Sequence, residues 1–144
     1  MLLEVLVPSF GRRVLLCQGK MPRARGMAAY VRDGYGAFRQ PKFECSCCEM
    51  MFFRVCGVRQ NLYVDSLFHN PGLDDQNFEC LLASMAAVQA EDVRASFLSV
   101  GDLNGHHQKW LGSTTTNRHG VAAFEFSTVS GCVQLHGCRS NPCT

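Results

Sequence analysis

The sequence predicts an α/β domain with a mixed sheet or two sheets, and three observations carry that prediction. Several short runs are rich in β-branched and aromatic residues and stop at Gly, Asn or Pro turn signals. A longer stretch, residues 74–91, repeats its apolar side chains at spacings of three and four. After it the pattern alternates strand, helix, strand, the order of a sheet covered by helices.

Residues 1–25 read as irregular apart from the apolar run Val14-Leu15-Leu16-Cys17, a short strand. Lys20, Arg23 and Arg25 around Pro22 form a basic loop. Residues 26–32 (GMAAYVR) read as a strand closed by the turn Asp33-Gly34-Tyr35-Gly36. Residues 43–48 and 49–55 read as two strands or one long one. Residues 60–68 (QNLYVDSLF) form another strand, ended by His69-Asn70-Pro71-Gly72. In the helix 74–91, Phe78, Leu81, Leu82, Met85, Ala86 and Val88 make one apolar stripe, and Asp74 and Asp75 favour its N-terminus. Residues 96–100 form a strand that Gly101 ends. A second helix runs from Gly120 or Val121 to Thr128, with Val121, Phe124 and Val129 on a shared face and Gly131 as its stop. Residues 133–135 start a last strand, and residues 136–144 carry no periodic pattern.

Composition bounds the function. The chain has 144 residues, 47% of them hydrophobic, enough to build the core of one domain. A net charge of +2 is too mild to mark a nucleic-acid binder and too mild to exclude one. No apolar run reaches the ~18–20 residues of a membrane-spanning helix. The first seven residues carry Glu4 and no basic flank, so an intracellular rather than secreted protein is expected. Nine cysteines, an odd count, read as small buried hydrophobes in a reducing compartment rather than a disulfide framework. Cys45-x-x-Cys48 has the spacing of half a zinc site, but no second pair follows at the usual distance. In a strand, Cys45 and Cys48 would face opposite sides, so no metal site is expected there.

Gly101-Asp102-Leu103-Asn104-Gly105-His106-His107 is the sharpest chemical feature. An acid and an amide two apart at a strand's C-terminal end project to the same side and meet solvent together. The carboxylate can orient or deprotonate a water, the amide can donate to a phosphate oxygen, and His106 or His107 can offset charge. The competing reading is a turn, since Asp-x-Asn-Gly is good turn chemistry. Trp110 is either a stacking platform for a base or a cap on the core.

The stretch 97–132 resembles the endonuclease/exonuclease/phosphatase superfamily, most of all the endonuclease domain of non-LTR retrotransposons of the jockey and LINE type. The residues that carry the resemblance are Gly101, Asp102, Asn104, His106, His107, Trp110, Gly112-Ser113, Asn117 and Gly120. Upstream, residues 26–32 and 62–71 resemble two of the family's strand motifs, so the likeness covers about residues 10–135. It implies a partial two-sheet α/β sandwich with flanking helices and terminal strands missing, a single domain over 1–144. The implied activity is cleavage of DNA phosphodiester bonds with a divalent metal, usually Mg²⁺, in a cleft between the sheets.

By the same resemblance Asp102 positions the attacking water and Asn104 holds the scissile phosphate. His106, His107, Phe68, Arg23 and Arg25 are weaker candidates for phosphate or DNA contact. The departures are specific. Phe68 stands where the family has a Tyr, Glu4 lacks the Ser-Glu-Thr context of the metal ligand, and no terminal Ser-Asp-His is present. A fragment cut at both ends, inactive alone and nuclear in its parent protein, is the resulting expectation. The alternative is a non-catalytic remnant that binds nucleic acid or protein.

Overall fold

The computed structural model describes residues 2–4, 13–18, 27–32, 35–46, 48–57, 59–68 and 76–135. Strands β1 (Leu2–Glu4), β2 (Arg13–Gln18) and β3 (Met27–Arg32) form one sheet in the order β1-β3-β2, with β1 parallel and β2 antiparallel to β3. Strands β4 (Ala37–Arg39), β5 (Glu49–Val55), β6 (Leu62–Phe68) and β7 (Ser96–Asp102) form a second sheet in the order β4-β5-β6-β7. Its first two pairings are antiparallel and its last is parallel. A parallel pair needs a crossover, and helix α1 (Gln76–Glu91) supplies it between β6 and β7. Two short elements, a 3-10 turn at Pro41–Phe43 and helix α2 (Gln108–Leu111), precede β5 and follow β7, and α3 (Arg118–Ser130) comes last. The fold is α/β with two sheets, as the sequence predicts.

Strand β5 explains how the layers meet. Met50, Met51, Phe52 and Phe53 are all buried, so this strand is apolar on both faces, the mark of a strand covered on both sides. Met51 and Phe53 join Val64 of β6 and Ala29 and Val31 of β3 in a core between the two sheets. Met50 and Phe52 face the other way, with Tyr63 and Leu67, against Phe78, Leu81, Met85 and Val88 of α1 and Ala123 and Phe126 of α3. The rings of Phe78 and Phe126, 5.6 Å apart, tie the two helices together.

Several expectations need correction. Among the described residues of 43–48 there is no strand: Phe43 closes the 3-10 turn opened by Pro41, and residues 44–46 and 48 are irregular. Pro41 has no N–H for a ladder and a fixed φ suited to a first helical turn. Gly101 does not end β7, which continues to Asp102. On α3 the buried face is Gly120, Ala123 and Phe126, whereas Val121, Phe124 and Val129 are exposed. Residues 133–135 are irregular and exposed, not a strand. Strands β1 and β4 and helix α2 are too short for a periodic signal to reveal. The turns expected at 33–34 and 69–72, the helix start at Asp74 and Asp75, and the tail 136–144 lie outside the described residues.

Candidate functional site

Asp102 stands at the exposed C-terminal end of β7, paired in register with Phe68 at the end of β6. Alternation along the strands puts it on the same side as Leu98 and Val100, which pack into the core between the sheets. The carboxylate therefore sits at the rim of the inter-sheet space. Open α/β sheets place their sites at such strand ends.

β7 reaches that rim because of Gly101. A Cβ at this position would lie 1.9 Å from the carbonyl oxygen of Leu67, so only glycine lets the two parallel strands stay in register there.

Beyond Asp102 the chain leaves extended geometry. Asn104 has φ 47°, in the left-handed region that Asn tolerates better than other side chains. Strand alternation does not extend to it. Two contacts hold it instead. Asp102 Oδ1 accepts from the Asn104 N–H at 3.1 Å, and the Asn104 carbonyl accepts from Asn117 Nδ2 at 3.1 Å. These contacts are those of the turn reading: the Asp102 carboxylate shapes the loop in which Asn104 lies.

Asn117 organises this region, a role the sequence reading does not assign to it. Its Oδ1 accepts from Gly120 N at 2.8 Å, capping α3, and from His106 N at 2.9 Å. The His106 carbonyl in turn accepts from Asn117 N at 2.9 Å. The available signal was the pairing of Asn117 with Gly120, an N-cap three residues ahead of a close approach. A Cβ on Gly120 would sit 1.9 Å from the His106 carbonyl oxygen.

The remaining predicted residues divide. His107 caps α2: its Nδ1 accepts from Trp110 N at 3.1 Å, and its ring stacks on Phe124 at 4.9 Å. That imidazole is engaged in structure. His106 is held through its backbone and its residue is exposed. Trp110 packs partly buried against the helix-side core and beside Phe124, so it is a cap on the core. Phe68 lies next to Asp102 in register, with a ring that carries no hydroxyl for phosphate. Arg23 and Arg25 lie outside the described residues.

Asp65, buried on β6, carries no sequence signal that marks it. Its Oδ2 accepts from Ser99 Oγ at 2.6 Å, while Oδ1 is buried with no hydrogen-bond partner among the described residues. Burial pushes its carboxyl up to about 7, against which the Ser99 hydrogen bond works. It borders a cavity of about 90 Å³ beneath the helices, away from Asp102's face.

Magnesium is held by one or two carboxylates together with waters and substrate phosphate. Asp102 offers one carboxylate, and no group of three ligating side chains gathers at it among the described residues.

The chain superposes on a solved structure described as the endonuclease domain of TRAS1, a telomere-specific non-LTR retrotransposon, with a TM-score of 0.61. The fold is similar to part of a retrotransposon endonuclease domain. The match covers 83% of this chain and 52% of the TRAS1 domain, at 14% identity, so the chain spans about half the length of that relative. No protein-family model matches the sequence, and no curated protein matches it. Among the described residues no helix is long and apolar enough to cross a membrane.

Proposed function

We propose that this chain is a nuclease-like domain of the retroelement type whose phosphodiester-handling site is built on Asp102 and Asn104. The observation that carries the reading is Asp102 at the exposed end of β7, on the inter-sheet rim, with Asn104 fixed two residues on in a TRAS1-like fold. Asp102 orients a water by accepting its proton or hydrogen bond, and Asn104 donates its amide to a non-bridging phosphate oxygen. The work of such a site is positioning and charge stabilisation, so a loop held in advance by Asn117 favours it. DNA is the proposed substrate, and the nucleus the proposed place of action.

The 144 residues carry no Ser-Glu-Thr or Ser-Asp-His segment, and groups of that kind are each worth ~10²–10⁴ in rate. The isolated chain is therefore expected to leave supercoiled DNA intact in Mg²⁺. Nicking that disappears in Asp102→Ala would overturn the inactivity while supporting the site. Nicking unchanged in Asp102→Ala would overturn the site itself.

The alternative reading is a module that holds nucleic acid without cutting it. It predicts DNA binding that weakens with salt and survives Asp102→Ala.

A further inference from the structure

We propose that Cys45, Cys48 and Cys80 form a site for a thiophilic divalent cation, Zn²⁺ by its chemistry, fastening the loop before β5 to helix α1. The three sulfurs lie within 4.8 Å of one another, and Cys45 Sγ and Cys80 Sγ are 3.0 Å apart. Among the described residues no other group of three ligating side chains converges in this way.

The local structure explains why the thiols meet. Cys45 and Cys48 lie in the loop that follows the 3-10 turn, so strand alternation does not separate them. A Cys-x-x-Cys loop is the usual way for one short segment to offer two ligands to the same ion. The third comes from α1, brought over the loop by Phe43, whose ring is buried in the core that α1 covers. Cys80 follows Phe78 and precedes Leu81, both buried, which fixes its place on the helix.

The convergence of three thiols, rather than two, points to an ion over a disulfide. Zn–S bonds of about 2.3 Å in tetrahedral geometry set sulfurs about 3.8 Å apart, more than the 3.0 Å between Cys45 and Cys80 and less than the 4.8 Å within which all three lie. Adjustments within about 1 Å, the scale of a rotamer change, complete three corners of the tetrahedron. A disulfide between Cys45 and Cys80 would engage two of the three thiols, an ion all three. The three residues are half-buried and pack against the apolar core, which limits competition by water on the inner side. The fourth position is left to water. Binding requires thiolates, so it releases protons and weakens as pH falls.

The test uses the whole chain, reduced and stripped of metal, with Zn²⁺ and Co²⁺ as probes. One Zn²⁺ per chain, cobalt-thiolate charge-transfer absorption and a rise in melting temperature with added zinc are the expected results. Cys45→Ser, Cys48→Ser and Cys80→Ser each abolish stoichiometric binding, while Cys56→Ser and Cys132→Ser retain it. Because a substitution near the core can unfold the protein, alkylation of the unaltered chain provides an independent readout. Zinc should protect Cys45, Cys48 and Cys80, mapped residue by residue, and leave Cys56 reactive. Absence of bound zinc, protection elsewhere, or a Cys45–Cys80 disulfide as the stable state of the reduced-buffer protein would each overturn the proposal.

Discussion

Asp65 is the residue with the sharpest individual consequence. Its carboxyl is ordinary in the unfolded chain, at about 3.8, and raised to about 7 in the fold. Below pH 4 both states hold the proton. Between pH 4 and 7 the unfolded chain releases it while the folded chain retains it, so stability falls as pH rises, by up to ~1.4 kcal/mol per unit. Above pH 7 the contribution is spent. Asp65→Asn keeps an acceptor for Ser99 and stays neutral, so denaturant unfolding between pH 4.5 and 8 should show a variant that gains on the unaltered protein as pH rises. A difference that stays constant with pH would contradict this account. Nothing in the run QNLYVDSLF separates this acid from a solvated one, because burial on the helix side is decided by α1 and α3.

Asn117 shows how one side chain connects an element to a site. Asn117→Ala removes the α3 cap and leaves the His106 N–H unpaired, at a cost of about 2 kcal/mol in unfolding experiments. Asn117→Asp keeps the acceptor and loses only the donation to Asn104, so its cost should be clearly smaller. Equal losses in the two variants would show that capping is not what Asn117 supplies.

At the scale of elements, β7 depends on a missing side chain. Gly101→Ala drives a methyl into the Leu67 carbonyl, and overpacking of this kind costs ~1–3 kcal/mol. The strain falls on the β6–β7 register that places Asp102, so hydrogen exchange should accelerate at Leu67 and Asp102 before it does in β5. Uniform exchange across the sheet would argue against a local clash. Helix α3 has its own lesson. Val121, Phe124 and Val129 make an apolar group by sequence spacing, yet Gly120 sets the inward face because only a residue without Cβ fits against His106. Close approach outweighed hydrophobicity.

For the whole molecule, β5 is common to both cores, so the two should melt together. Phe52→Ala empties the helix-side core and Phe53→Ala the inter-sheet core. Each deletion is worth ~3–5 kcal/mol, and each is expected to shift one and the same calorimetric transition. Two transitions, each answering to one substitution, would mean that the layers fold independently.

What the sequence by itself determined is the set of long elements and one end of the site. The apolar run in 49–55 announces a strand, and the three-four spacing of Phe78, Leu81, Met85 and Val88 announces α1, because such patterns report a local repeat that avoids water. That β5 is buried on both faces is the tertiary structure's doing. The resemblance carried by Gly101, Asp102 and Asn104 anticipated a fold that the TRAS1 likeness bears out. Only the tertiary structure decided the rest. The left-handed Asn104, the hold of Asn117 on its loop, the burial of Asp65 and the meeting of Cys45 with Cys80 across 35 residues all depend on what another element brings within a few ångströms. Periodicity records the direction a side chain faces, and says nothing of which distant group it finds there.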